Sequence, residues 1–232
     1  MRYDQSCAMP DFKLLIARFQ KHYGTPELPP AKGPFELVLW ENACYLLPDE
    51  RRREVFETLR DRVGLNAGAI WKADGNVLLP IATRGGMRPE TRVFRWREVA
   101  RITLEQFDGD LDQILTWPYA KAKKALKLFP NIGEPGAEKI LMFCGVAEGL
   151  PLESNGVRVL TRVGFGRAEK AYGKMYRSVQ EALAGQVPRG AAPIARAHLL
   201  LRQHGRTICH TNGPECGECP AVDLCTWVMK KL

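Results

Sequence analysis

Apolar residues recur along this chain at steps of three and four, and this spacing predicts helices throughout. Phe12, Leu14, Leu15, Ile16 and Phe19 share one side of a helix over 10–22, with Arg18, Lys21 and His22 outside it. Residues 24–34 then hold four prolines and two glycines, too many for a helix interior, and a domain boundary is expected near Pro34. Phe35 to Leu47 (FELVLWENACYLL) is the most apolar segment and predicts a buried helix that stops before Pro48-Asp49. Glu41 and Asn42 interrupt it, either as a half-exposed face or because they have a task. Over 49–63, Val55, Phe56, Leu59 and Val63 form an apolar face, and the surrounding arginines fit a solvated one.

Residues 64–88 stay open between helix and short strand around the turn Ala73-Asp74-Gly75-Asn76. From Pro89 a basic helix runs through Val93, Phe94, Val99, Ile102 and Leu104, with Arg92, Arg95, Arg97 and Arg101 on its other sides. A short helix over 110–116 ends at Trp117-Pro118, and 119–129 carries four lysines. After a break at Gly149-Leu150-Pro151, helices are expected over 152–163, 169–183 and 193–204. No long strand pattern occurs, so the class is all-α, with about ten helices.

The stretch Leu126 to Gly145 (LKLFPNIGEPGAEKILMFCG) predicts two short helices around a tight turn. Ile132 and Gly133 fall in the bend, where Gly133 can adopt positive φ or admit a neighbouring backbone, and Pro135 stands at the start of the second helix. The amides of Gly136, Ala137 and Glu138 would then lack intrahelical partners and suit a phosphate oxygen. An ordinary αα-hairpin is the alternative.

A net charge of +8 and a pI near 9.2 favour a polyanionic partner without demanding one. No run approaches the ~18 apolar residues of a membrane span, and Met1 to Lys13 lacks a basic, apolar leader, so the expected address is the cytosol, with access to nucleoid DNA. Of seven cysteines, Cys7, Cys44 and Cys144 stand apart and are expected as buried small hydrophobes. Cys209, Cys216, Cys219 and Cys225 form C-x6-C-x2-C-x5-C within seventeen residues, a metal pattern in a cytosolic chain. Four thiolates can hold zinc or a [4Fe-4S] cluster; the single C-x2-C pair and the unequal outer spans favour the cluster.

HGRTIC at 204–209, with the three cysteine spacings after it, resembles the cluster loop of endonuclease III and the adenine-specific glycosylase. FPNIGEPGA at 129–137 resembles their hairpin L-P-G-V-G-x-K-T-A, and LESNGVRV at 152–159 their V-D-T-H-V-x-R-V. The order agrees from about Pro34 to Cys225. The resemblance implies the helix-hairpin-helix DNA glycosylase fold: a helical barrel domain over 34–147 carrying the hairpin, and a [4Fe-4S] domain from 1–33 plus 148–232. It implies duplex DNA as the partner of a monomer, and release of a damaged or mispaired base.

The departures shape the expected chemistry. Pro135 stands where bifunctional members carry a Schiff-base lysine, so lyase activity is not expected. The family aspartate is Glu153 here, one methylene longer, still a carboxylate able to stabilise an oxocarbenium charge. Glu41 aligns with the carboxylate that protonates the departing base in the adenine-specific branch, and burial among apolar residues would keep it protonated. Tyr45 and Leu46 replace the glutamine that fills the gap left by the flipped base, and Asn155 matches an asparagine of that branch. Between the first two cysteines the family's basic residues are missing, which points to a structural cluster. The chain does not reach the extra domain that recognises oxidised guanine, so that substrate is disfavoured. A catalytically silent DNA-binding or damage-sensing protein on the same fold is the competing expectation.

Overall fold

A computed structural model describes residues 10–229. Cys7 lies outside them. No strand occurs among the described residues, which form two compact units: the chain up to Glu27 together with Gly149 onward, and Leu28–Glu148. Nor is any described helix long and apolar enough to cross a membrane.

The chain starts with α1 (Phe12–Tyr23), where Asp11 accepts the Leu14 amide as N-cap and Phe12, Leu15 and Phe19 are buried. The unit from Leu28 then runs through α2 (Gly33–Glu41), α3 (Asp49–Arg62), α4 (Ala67–Lys72), α5 (Gly75–Arg84), α6 (Pro89–Gln106), a 3-10 turn at Asp112–Thr116, α7 (Tyr119–Leu126) and α8 (Glu134–Phe143). α2 is apolar all round and is buried from Pro34 to Trp40 except for Glu36. It stops at Glu41, six residues short of the expected Leu47. Asn42 ends it by turning its side-chain amide back onto the Val38 carbonyl, the local competition with helix for which Asn is prone. The open stretch 64–88 is helical, with α4 and α5 capped by the side chains of Asn66 and Asp74.

α6 packs on α2, α4 and α5 through Trp96, Val99, Ala100, Ile102 and Thr103. Arg92, expected outside, is 4% exposed instead. Its guanidinium donates to the carbonyls of Ala82 (2.7 Å), Gly86 and Met87 (both 3.2 Å), so it organises the loop between α5 and α6. Burial holds its pKa below the usual arginine range. Gly85 has no room for a side chain there, because a Cβ would stand 2.4 Å from the Ala43 carbonyl oxygen.

The second unit is completed by α9 (Ser154–Val163), α10 (Tyr172–Ala182), α11 (Ala191–Thr207) and α12 (Thr226–Met229), with the cysteine loop between the last two. α11 lies between α1 and α9, and α12 covers α9. Phe12 meets Phe165 edge-on, with ring centroids 5.9 Å apart, and Leu160, Val179 and Leu200 of this unit are also buried.

Candidate nucleic-acid interface and cysteine site

Phe129 and Ile132 are buried and hold the turn between α7 and α8 onto the core. Asn131, rather than Gly133, takes the left-handed backbone (φ 62°). Gly133 is extended, and the space where a Cβ would point is open. α8 begins one residue earlier than expected, at Glu134, and the Ala137 amide already donates to the Gly133 carbonyl. The free first-turn amides are therefore those of Gly133, Glu134 and Gly136, while those of Ala137 and Glu138 belong to the helix and Pro135 has none.

Glu134 brings a carboxylate to this first turn without capping an amide. Its carboxylate meets Lys123 and Lys127 at 2.6 Å, and these hydrogen bonds, Lys123 first, hold it below the usual carboxylate range. Glu138 reaches Lys123 at 3.3 Å. Replacing Glu134 with Gln should free Lys127 for phosphate and leave Lys123 only its longer contact with Glu138. Duplex affinity should rise about 3- to 10-fold at low salt, with a steeper fall of log K against log salt. A fluorescence-anisotropy salt series reads both.

The residues after α2 form a loop fixed at both ends. Asn42 is buried; its amide nitrogen donates to Val38 and to the Pro130 carbonyl (both 3.0 Å), and its oxygen accepts from Asn131 (2.9 Å). One side chain thus joins the end of α2 to the turn before α8. The Tyr45 amide donates to Gly85, beside the Arg92 network. Between these ties Tyr45 is 57% and Leu46 80% exposed, with Leu46 in left-handed backbone (φ 55°). Such backbone costs about 1–3 kcal/mol for a non-glycine residue and persists only where its surroundings impose it. Met87 is also exposed and lines the same open hollow of about 640 Å3 as Glu41, Tyr45, Arg88, Arg95 and Asn131.

Glu41 differs from the acid expected from its sequence context. Its Oε2 accepts from Lys139 Nζ at 2.7 Å, both side chains being less than one-fifth exposed. Its neighbour is a cation and not an apolar wall. Lys139 lies on α8 one turn beyond Pro135, and the sequence reading overlooked it.

In the other unit, Glu153 occupies the N-cap position of α9 but makes no side-chain cap bond. Its Oε1 lies 3.1 Å from Arg202 Nε on α11 and accepts from Asn155 (3.2 Å). Asn155 accepts in turn from Arg158, whose guanidinium also binds the carbonyls of Gly205 and Cys209. A chain of polar contacts thus runs from Glu153 to the start of the cysteine loop.

Cys209, Cys216, Cys219 and Cys225 line one small apolar cavity, of about 20 Å3, with Arg162, His204 and Trp227. Donors point at three of the sulfurs. Arg162 Nη1 lies 3.3 Å from Cys209 Sγ, the Ala221 amide and His204 Nε2 face Cys219, and the amides of Val228 and Trp227 face Cys225. Donors gathered around sulfur suit thiolates rather than thiols. As free thiols, Cys219 is pushed up to about 11 and Cys225 is raised, in both cases first by burial and further by neighbouring sulfurs. Among the described residues no three His, Cys, Asp or Glu side chains stand close enough to hold one metal ion. Four cysteine sulfurs lining one cavity are the donor set that a [4Fe-4S] cluster takes.

No known family profile matches the chain. Over 179 residues it is 24% identical to an endonuclease III of Sulfolobus acidocaldarius, covering 76% of this chain and 74% of that protein. Over 226 residues it is 23% identical to a thymine/uracil-DNA glycosylase of Pyrobaculum aerophilum, covering 95% and 93%. Its backbone superposes on an endonuclease III–DNA covalent intermediate with a TM-score of 0.71 at 17% identity, over 94% of this chain and 96% of the other. For a thermostable thymine-DNA glycosylase the values are 0.75 and 16%, over 94% and 97%. These relatives and the shared backbone fold tie the chain to the helix-hairpin-helix DNA glycosylases, and it is related to the DNA glycosylases of base excision repair.

Proposed function

We propose that this protein is a monofunctional DNA N-glycosylase that binds duplex DNA as a monomer, everts a damaged or mispaired base and hydrolyses its glycosidic bond without cutting the strand. The observation that carries this reading is the loop after α2. Two bulky side chains, Tyr45 and Leu46, are held out into solvent by strained backbone, and Asn42 ties that loop to the turn that would grip phosphate. Ile132 seats the turn, and the amides of Gly133, Glu134 and Gly136 take a phosphate oxygen, with Ala137 and Glu138 continuing the helix behind them.

Glu153 supplies negative charge beside the sugar as the bond to the base lengthens, and Asn155 and Arg202 fix its position. Glu41, paired with Lys139 as a carboxylate, can hand a proton to the departing base only after taking one up, from water or from the Lys139 ammonium. Residues 34–147 are the gripping domain in this scheme, and 1–33 plus 148–232 carry the cluster. Cys209, Cys216, Cys219 and Cys225 hold a [4Fe-4S] cluster, which supplies four strong cross-links to a loop with little core of its own. DNA repair in the cytosol, at the nucleoid, is the setting that follows.

Pro135 offers no amine, so strand cleavage is not expected. Incubation of iron-loaded protein with duplexes carrying uracil, thymine mispaired with guanine, mispaired adenine, alkylated purines or oxidised pyrimidines should release one class of base. Strands should break only after alkali, with no borohydride-trapped complex. Nicking without alkali, or trapping, overturns the monofunctional reading.

One observation favours a second reading, a catalytically silent DNA-binding or damage-sensing protein: the Arg202 guanidinium beside Glu153 offsets the charge that catalysis needs. Silence on every substrate, with salt-dependent binding intact, would select it.

A further inference from the structure

His204 is 2% exposed, and its ring lies flat on Phe19 with centroids 4.2 Å apart. Both ring nitrogens have partners. Nε2 lies 3.5 Å from Cys219 Sγ, and Nδ1 lies 2.8 Å from Tyr23 Oη. Phe19 and Tyr23 are four residues apart on α1, so one face of that helix supplies both the stacking ring and the hydroxyl. Neither the hairpin nor the carboxylates require this arrangement.

Donor and acceptor counting gives it a direction. A sulfur bound to iron has no proton to give, so a hydrogen bond between Cys219 and His204 needs the proton on Nε2. A neutral imidazole then has a bare Nδ1, and a buried bare nitrogen requires a donor. Tyr23 stands beside it. The other neighbour of Tyr23 Oη is Thr207 Oγ1 at 3.2 Å, whose own proton goes to the Gln203 carbonyl at 3.0 Å. Were the tyrosine proton turned to Thr207, two lone pairs would face each other across 2.8 Å. The consistent arrangement is Tyr23 Oη–H to Nδ1, and Nε2–H to sulfur.

We propose that His204 and Tyr23 are positioning residues for the Cys219 ligand, a two-step hydrogen-bonded support that sets the electron affinity of the cluster and its resistance to iron loss. This rests on the reading of the four cysteines as [4Fe-4S] ligands. A hydrogen bond donated to a ligand sulfur stabilises the added negative charge of the reduced cluster and so raises its potential. Tyr23 polarises the imidazole and strengthens that bond, and the same contact fixes the ring so that Cys219 stays in place.

The test uses protein purified anaerobically in its iron-loaded form, with Tyr23→Phe, His204→Gln and His204→Leu. Three quantities are read: iron and sulfide content, midpoint potential by optical titration, and the rate of iron loss to a chelator. Tyr23→Phe should keep its iron, show a lower potential and lose iron roughly 10-fold faster. His204→Leu should move further the same way, and His204→Gln, whose amide can still donate, should recover part of both changes. If Tyr23→Phe matches the wild type in potential and in iron loss, the inference is overturned, whether or not His204→Leu folds. Wild-type protein containing no iron would instead remove the cluster reading itself.

Discussion

Glu153→Gln should lower the single-turnover rate of base release by about 10²- to 10⁴-fold while leaving duplex affinity within about twofold. Glutamine keeps the length and can still approach Arg202, but it carries no charge to oppose a developing oxocarbenium ion. The measurement is a quench series with enzyme in excess on whichever substrate the wild type accepts. An unchanged rate removes Glu153 from the mechanism. Glu153→Asp separates position from charge. At the N-cap of α9 the shorter carboxylate can accept a first-turn amide that Glu153 leaves alone, for a gain of about 0.5–1 kcal/mol. It also steps back from Arg202. A melting temperature that rises together with base release would mean that the longer side chain restrains the native enzyme.

The second large effect concerns stability. Arg92→Ala should cost roughly 3–5 kcal/mol, because it empties a buried site and strands three carbonyls that now share one guanidinium. For a chain of this size that is a melting temperature lower by about 10 °C. Arg92→Met tests the cause, since it refills most of the volume without a donor. If the loss is electrostatic, Met should recover little of it; if it is a packing loss, Met should recover most. The loop at Gly85 to Met87 also supports the Tyr45 amide, so duplex distortion, followed by 2-aminopurine fluorescence, should weaken in both variants.

Helix positions were largely legible because apolar spacing reports which side of a helix is covered, and nearly every helix of this chain has one covered side. The exceptions have local causes. The loop over 42–47 is as apolar as the helix before it, so composition could not separate them; only the side chain of Asn42, turned onto Val38, marks the end. Arg92 follows the spacing of Trp96, Val99 and Thr103, at steps of four, three and four. Its burial could therefore have been anticipated, had the charge not drawn attention outward.

In the candidate site, spacing brought out the four cysteines and the hairpin. It could not disclose partners distant in sequence: Lys139 on Glu41, Arg202 on Glu153 or Tyr23 on His204. Those pairings depend on how helices pack, and a single sequence carries no trace of them. The corrections within the hairpin have a similar origin. A start of α8 one residue earlier changes which amides are free, and helix ends are the least determined part of any sequence pattern.

The clasp from Asn42 to Pro130 and Asn131 bears on how such a protein would search DNA. If the hairpin turn grips DNA, the buried Asn42 it shares with the Tyr45–Leu46 loop would make the two engage together. Each position at which the turn settles during sliding is then also a mechanical trial of the local base stack. Sound pairs would resist and let the protein diffuse on, whereas a weakened pair would yield within the dwell time of a single step. Discrimination would begin in the kinetics of the search, before any base reaches a carboxylate.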